Sequence, residues 1–386
     1  MKAIAPYVVK FFISFLISVF LAPTLFSQEG GNNTYEALNL VTSARVAALS
    51  GNAISIKDND IDLAWDNPSI LNESMENHLV LNYVDYLADI NYTSFIYSKS
   101  FSNLGSFSAG MKYLHYGTFK EADHTGEIIR EFNAQDVVFN LGWGKGVSPI
   151  LNLGKSNEKK LDSIFFVGGN LKLIYSNYHF DYSSFGIAID LAGTYHNHKR
   201  NTTVAAIIKN AGIQIKPYTS KNREPLPFEI QLGISQKLKH APFRLMLNAQ
   251  HLERWDLTYT DPIETQSPLI PVEEDTLMFQ KIGAKVSDFG DKLLRHTSFG
   301  TEIILSKNFH IRVGYNYQRQ KELKISTKRG MSGFSFGLGF KVSKFHFSYG
   351  RTAFHLAGGT NHFSIRTSLD NFHATKTNEM PNPIID

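Results

Sequence analysis

From about residue 78 onward the chain alternates apolar and polar residues with period two, in runs of about ten residues. Val167, Gly169, Leu171, Leu173 and Tyr175 share one face, and Gly168, Asn170, Lys172 and Ile174 the other. Phe334, Phe336, Leu338, Phe340 and Val342 alternate in the same way with Ser335, Gly337, Gly339 and Lys341. Such strands have one greasy face and one wet face, and two architectures use them. A soluble sandwich buries the greasy face with strands of ~5–6 residues. A membrane barrel turns it to lipid and needs ~9–11 residues per strand. The runs here are of the longer kind. Aromatics recur near their ends (Tyr113, Trp143, Tyr175, Tyr195, Tyr315, Tyr349), as interface girdles require. The reading is an all-β transmembrane antiparallel barrel.

About fourteen strands are expected, at 78–84, 90–99, 104–116, 135–144, 163–177, 184–196, 202–211, 227–238, 242–255, 296–306, 308–318, 331–342, 344–353 and 362–369. The second and seventh alternate poorly. Connections after even-numbered strands are mostly tight, and those after odd-numbered strands include the longest, 117–134, 212–226, 256–295 and 319–330. Short periplasmic turns and long outer loops are the rule for such barrels. The 145–162 connection departs from it.

The N-terminus carries an export signal. Lys2 and Lys10 precede sixteen uncharged residues, Phe11 to Phe26, and Ser27 stands before a polar chain. Sixteen residues interrupted by Pro23 are short for a spanning helix. The expected organisation is therefore a cleaved signal peptide over 1–27, an N-terminal segment over 28–77, the barrel over 78–369 and a polar tail over 370–386. The segment 28–77 reads either as a plug inside the lumen or as a periplasmic extension.

Composition narrows the chemistry. The absence of Cys removes disulfides, thiolate metal sites and a lipidated N-terminal Cys. A net charge of +4 is too weak to argue for nucleic acid. No nucleophile elbow, zinc-protease helix or phosphate loop is present. Gly142-Trp143-Gly144-Lys145-Gly146 ends a strand with no helix after it, and so reads as small-residue packing or a turn. Asp58, Asp60 and Asp62 have the spacing of a calcium loop, but Leu63 and Ser69 stand where its Gly and Glu belong, so a solvated loop is expected. His196 and His198 read as part of a basic turn. The three Trp read as packing or interface residues. No catalytic residue, cofactor or metal is assigned.

Two groups of residues are singled out. Hairpins turning near 181 and 307 place Lys172 opposite Asp190 and Glu302 opposite Arg312, two candidate lumen ion pairs that chance pairing in a wet pore would also give. Residues 253–280 carry seven acids and one base, Arg254. Within them Asp261, Glu264, Glu273, Glu274 and Asp275, with Leu269 and Ile270, form a candidate partner-docking loop on the outer rim. The plainer reading is a solvated loop.

Ser43-Ala44-Arg45-Val46-Ala47-Ala48-Leu49-Ser50-Gly51 followed by Trp65-Asp66-Asn67-Pro68-Ser69 resembles the N-terminal segment of FadL-related outer-membrane barrels, including the PorV/PorQ group of the type IX secretion system. The match to the PorQ side of that group is closer. It runs through Gly30 to Glu36, Leu81 to Tyr92, Asn222-Arg223-Glu224-Pro225-Leu226-Pro227-Phe228 and Leu238 to Arg244. The resemblance implies a 14-stranded barrel in the outer membrane and a non-enzymatic place in a cell-surface attachment complex. It implies PorU-like, PorV-like and PorZ-like partners, the last held at the surface, and cargo linked to lipopolysaccharide. The chain departs from ordinary barrels in not ending on an aromatic strand residue. The alternative is a FadL-like transporter of hydrophobic small molecules, which needs a largely apolar pocket and an outlet through the wall. The charges Lys172, Asp190, Glu229, Glu302, Arg312 and Lys341 on the expected lumen face disfavour it.

Overall fold

The computed structural model describes residues 33–88, 90–147, 165–220, 222–258, 288–323, 330–355 and 358–373. Fourteen strands pair in chain order, each antiparallel to the next, and the last pairs with the first. They are β1 (His78–Asp85), β2 (Asn91–Phe101), β3 (Gly105–Ala122), β4 (Ile128–Val147), β5 (Phe165–His179), β6 (Tyr182–Asn197) and β7 (Thr202–Lys216). The circuit continues through β8 (Glu229–Lys237), β9 (Phe243–Ala249), β10 (Thr297–Ser306), β11 (Phe309–Asn316), β12 (Phe334–Val342), β13 (Phe345–His355) and β14 (Gly358–Ser368). Closure runs from His78 opposite Ser368 to Asp85 opposite Asn361, so the sheet has no free edge.

The burial pattern is inverted relative to a soluble protein. On β6 Leu191 is 60% exposed while its neighbour Asp190 is fully buried. Phe139 and Leu141 on β4, and Phe336 and Leu338 on β12, likewise face outward. Only a lipid solvent makes that arrangement favourable, and closure of the ladder satisfies the backbone inside it.

All fourteen expected strands are present, with three differences of physical origin. Residues 117–134 form no long loop. β3 and β4 continue through them to a tight turn in which Asp123 accepts the backbone N–H groups of Thr125 and Glu127. Above the bilayer both faces meet water, so Lys120 opposite Glu131 and Glu121 opposite Arg130 replace the apolar alternation. Second, β7 changes phase at its middle. Lys209 and Asn210 form a bulge opposite Asp190, with Asn210 at φ 57°, so Val204 and Ile208 face out before it and Ile213 and Ile215 after it. Third, β9 stops at Ala249 and β11 at Asn316, where a helix, Tyr317–Leu323, begins. The weak alternation of β2 has another cause: its lumen face carries buried Tyr92 and Ile96.

Residues 33–77 run through the interior of the barrel, from the long-loop end to the short-turn end. Their first hydrogen bond, Thr34 N–H to the Pro225 carbonyl at 2.9 Å, is to the β7–β8 connection. A five-residue helix α1 (Ala44–Ala48) follows, capped by Ser43, which accepts the Val46 N–H. Leu49, Ile56, Ile61, Leu63, Ile70, Leu71 and Met75 then gather with Val80, Ile96 and Met246 of the wall into an apolar core inside the lumen. The small residues of α1 bring its backbone against the wall. A Cβ on Gly350 would stand 2.2 Å from the Ala44 carbonyl oxygen, and one on Gly168 would stand 2.5 Å from the Ser69 nitrogen. The wall is built bare where the inner segment touches it.

Candidate functional site

Two charged clusters tie the inner segment to the wall. The first centres on Arg45, whose place on a short capped helix of small residues aims it across the lumen. Its Nε and Nη2 donate to the two carboxylate oxygens of Glu302 on β10 at 3.1 and 2.9 Å. Nη2 also donates to Asp58 at 2.8 Å, and Nη1 to Asp60 at 3.0 Å. Glu302 further accepts Arg244 of β9 at 2.7 Å and Arg312 of β11 at 2.9 Å. Asp60 meets Arg366 of β14 at 2.9 Å. Four guanidinium groups thus enclose three carboxylates, each carboxylate shared by at least two arginines. Burial alone would push the Asp58 carboxyl up, but Arg45 and Arg244 hold it well below the usual range. Asp60 is lowered in the same way by Arg366 and Arg45 against its burial. The acidic segment is therefore a buried ionic lock. This corrects the expectation of a solvated loop; the carboxylates are drawn in because the buried Arg45 and Arg312, with the half-buried Arg244 and Arg366, need counter-charges.

The second cluster fills the bulge in β7. The Asn210 N–H donates to Asp190 at 2.8 Å, and its side-chain amide donates to the Pro227 carbonyl at 2.9 Å. Lys172 Nζ stands 2.6 Å from Asp190 and 2.9 Å from the Asn210 side-chain oxygen. Lys209 reaches inward to Asp66 of the inner segment at 2.9 Å. One residue later Asn67 donates to the Ile54 carbonyl at 2.6 Å and to Thr194 at 3.1 Å. Wall irregularity and inner segment are stitched together at one level.

The singled-out residues fall as follows. Glu302 and Arg312 are directly opposite in the ladder. Lys172 is opposite Ala188, and Asp190 opposite Asn170, two residues off the expected pairing; the hairpin is centred at 180 rather than 181 after a one-residue bulge beside its tip, and the long lysine side chain spans the diagonal. Asp261, Glu264, Leu269, Ile270, Glu273, Glu274 and Asp275 lie outside the described residues, as do residues 1–27 and most of the tail. At the start of the acidic stretch, Glu253 accepts the Ile230 N–H at 2.9 Å and Asp256 meets Lys292 at 2.9 Å. Among the described residues no group of three His, Asp or Glu side chains is placed to hold a metal ion.

Sequence reasoning missed Arg45, Asp58, Asp60, Arg244 and Arg366 as one unit. A signal was present: Arg45 is the sole base between residues 33 and 56, in a small apolar segment with three aspartates soon after. A lone arginine in such surroundings requires carboxylate partners.

The segment matches noted in the sequence also meet in space. Leu226 packs with Tyr35 and Leu38 in one apolar cluster with Val138, Ile174 and Ala188, so the Asn222–Phe228 run caps the start of the inner segment.

These features define a closed, internally plugged 14-stranded barrel of the outer-membrane type. No protein-family model and no curated protein matches the chain. Among solved structures it is similar to the toluene transporter TbuX of Ralstonia pickettii, at 10% identity, 86% of this chain, 99% of that chain and a TM-score of 0.44. It is similar too to the toluene transporter TodX of Pseudomonas putida (12%, 89% and 98%, 0.45) and to a FadL homologue of Pseudomonas aeruginosa (9%, 85% and 98%, 0.44). Likeness at this level decides nothing about what this chain carries or binds.

Proposed function

We propose that this chain is a non-enzymatic outer-membrane scaffold: a sealed barrel that anchors a protein partner at the cell surface. The observation that carries the reading is the filled lumen, in which residues 33–77 form their own core and are locked to the wall at two levels. A conduit spends its interior on a path; this interior is spent on packing. The tall wall of β3 to β7, with strands of 15 to 20 residues, adds structured surface beyond the ~9–11 residues that a bilayer needs. Within this reading, and on the segment matches to the PorQ side of its group, the partner is a PorZ-like surface protein. The wider assembly is an attachment complex with PorU-like and PorV-like subunits that links cargo to lipopolysaccharide.

A second reading is a passive transporter of hydrophobic small molecules, the activity named for the TbuX and TodX proteins. The β7 bulge favours it, because a transporter needs an opening in its wall. Against it, the bulge is filled by Lys172, Asp190, Lys209 and Asn210, all buried. The discriminating experiment is affinity purification from gently solubilised outer membranes. A stoichiometric large surface protein supports the scaffold, and a bound fatty or aromatic ligand without a protein partner supports transport.

A further inference from the structure

A cavity of about 450 Å³ lies at the short-turn end of the lumen, below the plug. Its inner surface is the Arg45 lock, where the three carboxylates are already matched by four arginines. The fourth acid of the lining, Asp62, accepts Asn82 of β1 at 2.8 Å. Lys237, Lys307 and Lys341 stand at the rim, at the ends of β8, beside the β10–β11 turn and near the end of β12. All three are exposed, and among the described residues none of their ammonium groups has a carboxylate partner. Seven cationic side chains therefore face four acids, one of them the buried Asp62, an excess of at least three positive charges around one concavity.

The donors are also available. Arg244 and Arg366 each engage their acids through Nη1, leaving Nη2 and Nε of each fork unspent on those acids. A guanidinium fork with open donors matches the paired oxygens of phosphate or carboxylate. A net positive charge over low-dielectric walls concentrates anions in a cleft. The volume lies within the ~300–1,000 Å³ range of small-ligand sites. The plug closes the inner side, so a ligand here is held rather than passed.

We propose that this vestibule is a binding site for a compact polyanion bearing two or more neighbouring phosphate or carboxylate groups. Arg244 and Arg366 orient the inner anionic group, and the three lysines neutralise the outer ones. The site does not depend on the identity of any surface partner, because it opens at the opposite end of the barrel from the long loops.

The test is calorimetric titration of the detergent-solubilised mature protein at low ionic strength with inorganic pyrophosphate, and separately with tricarballylate. Saturable binding is expected with at least one probe. It should weaken by about tenfold or more in the Lys237→Gln/Lys307→Gln/Lys341→Gln variant, since each removed charge acts at contact distance. Tighter pyrophosphate assigns phosphate as the recognised group, and tighter tricarballylate assigns carboxylate. The three lysines are exposed, so heat-modifiable migration of the variant should match wild type. Absence of saturable binding with both probes, or equal binding by the correctly folded variant, overturns the proposal.

Discussion

Arg45, on a five-residue helix inside the lumen, meets Glu302 of the tenth strand through paired hydrogen bonds of 3.1 and 2.9 Å. The two residues are 257 positions apart in the chain, so the contact ties helix α1 of the inner segment to the late half of the wall. Asp58, Asp60, Arg244, Arg312 and Arg366 extend it into a network that holds the inner segment against the wall.

Arg45→Met should loosen the plug. Removing one member of a buried ion-paired set costs roughly 3–5 kcal/mol, and the low end applies because Arg244 and Arg312 still neutralise Glu302. The expected readout is protease cleavage within residues 33–77 of the intact barrel, with a lower temperature for loss of heat-modifiable migration. An unchanged cleavage pattern and transition would count against the lock.

Leu338→Arg places a charge on the lipid face and should cost ~2–4 kcal/mol if the residue lies near the bilayer midplane. Leu338→Ala is the control, and equal folding yields for both would contradict the assigned face. The adjacent lumen position is no silent comparison. A Cβ on Gly339 would stand 2.7 Å from Arg312 Nη1, so Gly339→Ser should disturb the lock rather than pass unnoticed.

Asp62 gives the plug a pH dependence. It sits in the inner segment rather than in a strand, and burial together with the neighbouring Asp60 charge pushes its carboxyl up to about 7. The folded state therefore keeps a proton that the unfolded chain releases near pH 4. Stability should fall as pH rises between about 4 and about 7. Asp62→Asn, which keeps a polar group beside Asn82, should flatten that slope. Melting profiles across this window check it, and an identical slope in the variant would refute the assignment.

The acidic stretch tests the scaffold reading from the outer side. Replacing residues 261–276 with a short Gly/Ser linker should leave barrel assembly intact and deplete the co-purifying surface protein. An unchanged partner level from an intact barrel would show that Asp261, Glu264, Leu269, Ile270, Glu273, Glu274 and Asp275 do not dock it.

The barrel was legible because lipid imposes a strict period of two, and strands such as β5 and β12 obey it without interruption. Legibility failed where another solvent or neighbour took over. The outer halves of β3 and β4 meet water on both faces, so Lys120 and Glu131 look like loop residues. β7 changes phase at a bulge, which its sequence shows only as poor alternation and without the position. The β10–β11 and β5–β6 hairpins each carry a bulge beside the turn, and a hairpin centred on residue 307 still places Glu302 opposite Arg312. Lys172 and Asp190 were offset because the β5–β6 hairpin is centred at 180, one residue before the expected turn, so each partner moves by two. The sequence shows that Arg45 needs carboxylates and offers three aspartates nearby, but not that Glu302 joins them, since that meeting depends on where the inner segment folds within the closed wall.

Ion conductance across planar bilayers tests the sealed lumen most directly. The account predicts that the reconstituted mature protein is electrically silent, and that Arg45→Met, or deletion of residues 33–77 where the barrel still inserts, produces discrete conducting steps. Steady conductance from the wild-type protein, equal to that of the plug-deleted barrel, would contradict it.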